Sequence, residues 1–62
     1  MKLREIREQK GLSQVQLSEL SHVDRVSISR YETGRKMPSV DSLKRLAKAL
    51  DVSTDDLLGE SA

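Results

Sequence analysis

Four residues suited to starting a helix, Ser13, Asp24, Ser39 and Ser53, divide this 62-residue chain into short, separately capped segments. Each offers a side-chain oxygen to the N–H groups of a first helical turn, which have no partner inside the helix. Three of the four carry the same apolar pair, one residue before the cap and four after it: Leu12 with Leu17, Val23 with Ile28, Val52 with Leu57. Such a pair is a hydrophobic staple, which sets the angle at which the chain enters a helix. Ser13 with Gln16 and Ser53 with Asp56 add capping boxes. Helix stops are equally clear. Gly11 and Gly34 can take the left-handed conformation that closes a helix, and Pro38 ends helical continuation before Ser39.

No segment alternates apolar and polar residues with period two. The spacing therefore predicts an all-α chain, a compact domain of five helices over residues 2–10, 14–21, 25–33, 40–50 and 54–58. One domain over 1–62 is expected, its ordered part about 3–58, with 59–62 frayed. The fourth helix is strongly amphipathic, with Val40, Leu43, Leu46, Ala47 and Leu50 on one face and Lys44, Arg45 and Lys48 on the other. The expected core is Leu3, Ile6, Leu12, Leu17, Val23, Ile28, Tyr31, Leu43, Leu46, Ala47, Leu50, Val52 and Leu57. With a single aromatic residue that core is small, and modest stability follows.

Composition removes several function classes. There is no Cys, so neither a disulfide framework nor a thiolate metal site exists, which fits a reducing cytoplasm. No apolar run approaches the ~20 residues of a membrane span, and no signal-peptide pattern opens the chain. One His, no Cys and no clustered carboxylates on a firm scaffold leave no nucleophile–base pair, so no enzyme, metal, cofactor or small-molecule ligand is expected. Asp55 and Asp56 sit at a helix start, where the dipole accounts for them. Net charge is only +1, but its distribution is uneven. Residues 25–48 hold seven basic side chains against Glu32 and Asp41, and residues 51–62 hold four acidic and no basic ones. One positive face is implied.

The stretch SQVQLSELSHVDRVSISRY, residues 13–31, reads as two short helices and a tight turn. The second of them has one narrow apolar edge, Ile28 and Tyr31, and carries Arg25, Val26, Ser29 and Arg30 opposite. A helix held from behind with that face outward suits insertion into a polar target, and the DNA major groove admits an α-helix. Arginine offers a two-pronged donor that fits guanine O6 and N7, and Val26 could meet a thymine methyl. Backbone N–H groups at the starts of both helices suit phosphate. The same residues have plainer readings: Arg25 and Arg30 as solubilising charges, Val26 as a surface valine, Gln14 as an ordinary first-turn residue. Ser27 divides between local capping and a phosphate contact, and Tyr31 reads as core with its hydroxyl at the rim.

The run GLSQVQLSELSHVDRVSISRYETGRKMPSVDSLKRLAKALDVSTDDLL resembles the phage lambda repressor and Cro type (the xenobiotic-response-element type) of helix-turn-helix domain. The likeness extends from about Leu3 to Leu58. It rests on Leu-Ser-Gln at the second helix, Ile-Ser-Arg-Tyr-Glu-Thr-Gly closing the third, and Pro-Ser before the fourth. It implies a lambda-repressor-like fold in which the second and third helices form the motif. The third would read the major groove, and dimers would bind two half-sites about one helical turn apart. Residue by residue, the resemblance places Arg25, Val26, Ser29 and Arg30 at base-reading positions. It places Gln14, and with it Arg35 and Lys36 in the following loop, against the phosphate backbone. His22 stands where the family usually has Gly, in a turn that demands positive φ, and Ser18 stands where it prefers Ala. The family pairs Arg7 with Glu32 in a buried ion bridge; two independent surface charges are the alternative. Met37, Val52, Asp55 and Leu58 fall at its dimer contacts.

The expectation is a sequence-specific double-stranded DNA-binding regulator of transcription, most simply a repressor. It would act on a palindromic operator, pair as a homodimer at least on DNA, and repress by occupying its site. The alternative is a protein-interaction or antitoxin-like module on the same scaffold. Large apolar residues on the third helix's outer face would favour that alternative, whereas two arginines and a serine favour DNA. RNA is a weaker option, since stacking aromatics are missing.

Overall fold

Each helix begins where its cap places it. A computed structural model describes residues 1–59, which form α1 (Leu3–Gln9), α2 (Gln14–Ser21), α3 (Arg25–Glu32), α4 (Val40–Leu50) and α5 (Thr54–Leu58), with no strand among them. Of the expected frayed end, Gly59 is described and closes α5; the remainder lies outside the described residues. The Ser13 hydroxyl accepts from the Gln16 N–H at 3.0 Å, and the Gln16 side chain accepts from the Ser13 N–H at 2.8 Å. Ser53 and Asp56 form the same reciprocal box at 3.0 and 3.3 Å. Asp24 accepts from the Ser27 N–H at 2.9 Å, and Ser39 from the Ser42 N–H at 3.2 Å.

Helices of five to eleven residues are not stable alone, so packing must hold them. α2 packs on α3 and α4, α4 on α5, and α1 spans α3 and α5. Leu3, Leu17, Val23, Ile28, Tyr31, Leu46, Ala47, Leu50 and Leu57 are buried together. Ile6, Leu12, Leu43, Ala49 and Val52 close the edges. The Lys2 N–H donates to the Leu57 carbonyl at 2.7 Å, tying the first residues to α5.

Val40, counted on the apolar face of α4 though not in the expected core, is 70% exposed. At 3.6 residues per turn it lies about 70° from the centre of the stripe set by Leu43, Leu46, Ala47 and Leu50. It is also the first residue of α4, so no preceding turn shelters it.

The α2–α3 turn supplies its own hydrogen bonds. His22 adopts φ 59°, ψ 26°, in the left-handed region, and its N–H donates to the Ser18 carbonyl. Ser21, absent from the expected core, is 3% exposed. Its hydroxyl donates to the Leu17 carbonyl at 2.7 Å and accepts from the Val23 N–H at 3.2 Å. That amide lies past the helix end and would otherwise be buried unpaired. Asp51 closes α4 in the same left-handed conformation, φ 57°. No glycine signals that turn, but Asp is among the few side chains that tolerate it.

Behind α3 lies a polar cluster in an apolar setting. Arg7 of α1 grips Glu32 with two parallel bonds, Nε to Oε2 at 2.7 Å and a terminal nitrogen to Oε1 at 3.1 Å. Its other terminal nitrogen donates to the Leu12 carbonyl at 2.7 Å. The Gln14 side-chain amide donates to Glu32 Oε1 at 3.1 Å. The Arg7 side chain is 11% exposed and that of Glu32 3%. This is a buried pair, not two solvated charges. Hydrogen bonding to the Glu32 carboxylate holds the Arg7 guanidinium above its ordinary pKa against the opposing cost of burial.

Two stability outcomes follow from these turns and contacts. His22→Gly relieves a left-handed residue of its Cβ strain and is expected to stabilise by up to about 1 kcal/mol, raising the thermal midpoint by a few degrees. A lower midpoint would mean that the imidazole makes contacts worth more than the strain. Removing one member of the ion pair leaves a desolvated charge and is expected to cost about 3–5 kcal/mol. Urea unfolding of Arg7→Met, Glu32→Gln and the double variant should therefore show strong coupling, and additive losses would contradict it.

Candidate nucleic-acid interface

The outer face of α3 follows from what its inner face must do. Ile28 and Tyr31 are buried, and Glu32, one turn on from Ile28, faces the Arg7 cluster. The helical repeat then turns Arg25, Val26, Ser29 and Arg30 to the other side. These four line an open concavity of about 400 Å³, together with Thr33 and Arg35.

Arg35 reaches this concavity because of how α3 stops. Gly34 takes φ 76°, and the Arg35 N–H donates back to the Arg30 carbonyl at 2.9 Å. That six-residue closure folds the loop against the helix end, as in a Schellman motif. Thr33 was not singled out from the sequence. Its hydroxyl donates to the Ser29 and Arg30 carbonyls at 3.1 and 3.3 Å, so its polar group belongs to the helix end. A threonine one turn after Ser29 was the available signal.

The remaining candidates are placed differently. Gln14 stands at the first position of α2 with its amide turned inward to Glu32. Ser27 is half-buried in the first turn of α3, with its N–H taken by Asp24. Lys36 is exposed in the loop. Met37 follows it, 66% exposed. Val52 is packed on the core and shares a groove with Lys2, Ile6 and Asp56 beside α1. Asp55 is exposed and Leu58 half-buried on α5.

The chain's six arginines divide into two sets. Arg4 pairs with Glu8 at 3.6 Å, Arg7 with Glu32 at 2.7 Å and Arg45 with Asp41 at 3.0 Å. Arg25, Arg30 and Arg35, the three at the concavity, have no carboxylate partner among the described residues. Three guanidinium groups with unspent donors thus surround one valine and one serine on a helix face. Such a surface favours an anionic ligand rich in acceptors and disfavours an apolar one.

Comparison with known proteins gives the same direction. A family model described as helix-turn-helix, of the Cro/C1 type, matches residues 3–57. The HTH-type transcriptional activator BcrR of Enterococcus faecalis is 42% identical over 57 residues, 92% of this chain and 28% of that protein. The HTH-type transcriptional regulator ImmR of Bacillus subtilis is 34% identical over 95% of this chain and 46% of its own length. The cryptic phage CTXphi transcriptional repressor RstR of Vibrio cholerae is 32% identical over 81% of this chain and 45% of its own length. The chain thus spans less than half the length of each of these relatives. No solved structure matches significantly. With the family model covering nearly all of the five-helix fold, the chain belongs to the Cro/C1-type helix-turn-helix family.

Proposed function

We propose that this chain is a sequence-specific double-stranded DNA-binding domain that regulates transcription. α3 enters the major groove and presents Arg25, Val26, Ser29 and Arg30 to base edges. The observation that carries this reading is the sorting of the arginines. Every arginine away from the α3 concavity has a carboxylate within 4.0 Å, and those at the concavity have none among the described residues. Relatives named as transcriptional regulators support the same role.

Phosphate contacts fall to the edges of the site. Arg35 and Lys36 follow α3 into the loop and would lie along the sugar–phosphate backbone. Gln14, with one amide hydrogen beyond its bond to Glu32, and Ser27 in the first turn of α3 would add phosphate contacts. Such contacts position the domain without reading sequence. The relatives include both a named activator and a named repressor. Repression by occupying a site is the mode that DNA binding alone can supply.

A single α3 contacts few base pairs, so a useful site requires two copies on a palindrome. Met37, Val52, Asp55 and Leu58 would supply a modest pairing surface. Pairing on DNA rather than in free solution follows from so small a patch. The cytoplasm is the compartment this reading requires.

Selection from random duplex DNA with the purified chain is expected to enrich a palindromic sequence; no enrichment would overturn the reading. On that site Arg30→Ala should cost about 1–3 kcal/mol and relax preference at one base pair. Arg35→Ala should weaken specific and random duplexes by a similar factor and flatten the salt dependence. If both variants act alike on all duplexes, Arg30 reads no base. Binding to the full palindrome should be much tighter than to an isolated half-site. Equal affinities, measured by fluorescence anisotropy, would rule out pairing on DNA.

A further inference from the structure

The concavity on α3 has an internal order that narrows what it can read. Its residues fall in two rows, each of neighbours four apart on the helix surface. One row is Arg25, Ser29 and Thr33; the other is Val26 and Arg30. Arg25 stands at the N-terminal end and Arg30 five residues on, about 7.5 Å along the axis at 1.5 Å per residue. That is about two base-pair steps of duplex at ~3.4 Å each. Ser29, between the two arginines along the helix, is small, and the Thr33 hydroxyl is engaged by its own helix. The floor therefore stays open between the two arginines.

Val26 is the anomaly in this setting. It is 46% exposed, the one large apolar side chain in a wall of arginine, serine and threonine. It is not part of the core cluster. In the major groove one apolar group projects from the base edges, the C5-methyl of thymine. A guanidinium in the same groove finds its best two-pronged acceptor in guanine O6 and N7. Among the described residues no carboxylate holds Arg25 or Arg30, so both planes are free to align.

Resting on the DNA-binding reading above, we infer that the half-site core holds two guanines about two base steps apart. One is read by Arg25 and the other by Arg30. A thymine adjoins the guanine under Arg25, on either strand, with its methyl against Val26. Val26 is thus a specificity-determining residue that acts by burying a methyl group, and the arginines act by pairing.

The test uses the selected duplex with single-atom changes. Each thymine is replaced in turn by deoxyuridine, which lacks the methyl, and each guanine by 7-deazaguanine, which lacks the N7 acceptor. Affinities are measured for the unaltered chain and for Val26→Ala, Arg25→Ala and Arg30→Ala, each checked for helicity by circular dichroism. One deoxyuridine position is expected to weaken the unaltered chain about fourfold, the worth of one buried methyl. Val26→Ala should be indifferent to that position yet keep its sensitivity to both guanines. Two 7-deazaguanine positions should each cost about tenfold. Arg25→Ala should lose sensitivity to one of them and Arg30→Ala to the other. An enriched site insensitive to every deoxyuridine, or one whose sensitivity persists in Val26→Ala, overturns the base assignment while leaving DNA binding intact. Failure of any duplex to be enriched overturns both.

Discussion

The Glu32 carboxylate takes three hydrogen bonds from two other elements, two from Arg7 and one from Gln14. It sits at the C-terminal end of α3, where the helix dipole disfavours an anion. Only a strong local partner keeps it there. Arg7 is that partner, and its spare nitrogen on the Leu12 carbonyl brings in the residue just before the α2 cap. α1, the start of α2 and the end of α3 therefore meet at one side-chain cluster. Ile28 and Tyr31 pack α3 from the apolar side, but hydrophobic contact is non-directional. The hydrogen bonds add direction and set the roll of α3 about its axis. That roll decides which side chains face outward.

The turn between α2 and α3 sets the remaining freedom, the angle between the two helices. It depends on few outside contacts. Ser21 serves both the Leu17 carbonyl and the Val23 amide, and His22 accepts left-handed strain to reverse the chain. The staple of Val23 and Ile28, both buried in the core, completes it. The reading face is thus aimed by two short local devices, an ion cluster behind and a self-satisfied turn in front. Neither needs a large core, which a chain of this length lacks.

Much of this is written in local sequence, because caps, staples and glycine stops act within a few residues. Helix positions and most of the core were legible for that reason. Val40 was not. Periodicity counts it on the apolar stripe, whereas its exposure depends on what lies beside the first turn of α4, a tertiary fact. Ser21 was missed because a serine near a helix end looks solvated until the chain reversal buries it. Asp51 adopts a glycine-like conformation without a glycine to announce it. At the candidate site, Arg25, Val26, Ser29 and Arg30 could be grouped from helical spacing alone. Helical spacing did not group Arg35 with them, because it arrives through a non-helical turn. The inward turn of the Gln14 amide depends on α1 and α3 together, which no local pattern encodes.

Arg25, Val26 and Arg30 are exposed, and their side chains make no hydrogen bond or ion pair within the described residues. Nothing in the frame relies on which residues stand there. The positions that hold the fold and the positions that face outward share one helix but almost no interactions. A sequence change at 25, 26 or 30 is therefore nearly invisible to folding, and one at 28, 31 or 32 is strongly felt. Divergence and library design can explore the first set freely, without compensating substitutions elsewhere. A scaffold divided this way can acquire new recognition in single steps, each intermediate still folded.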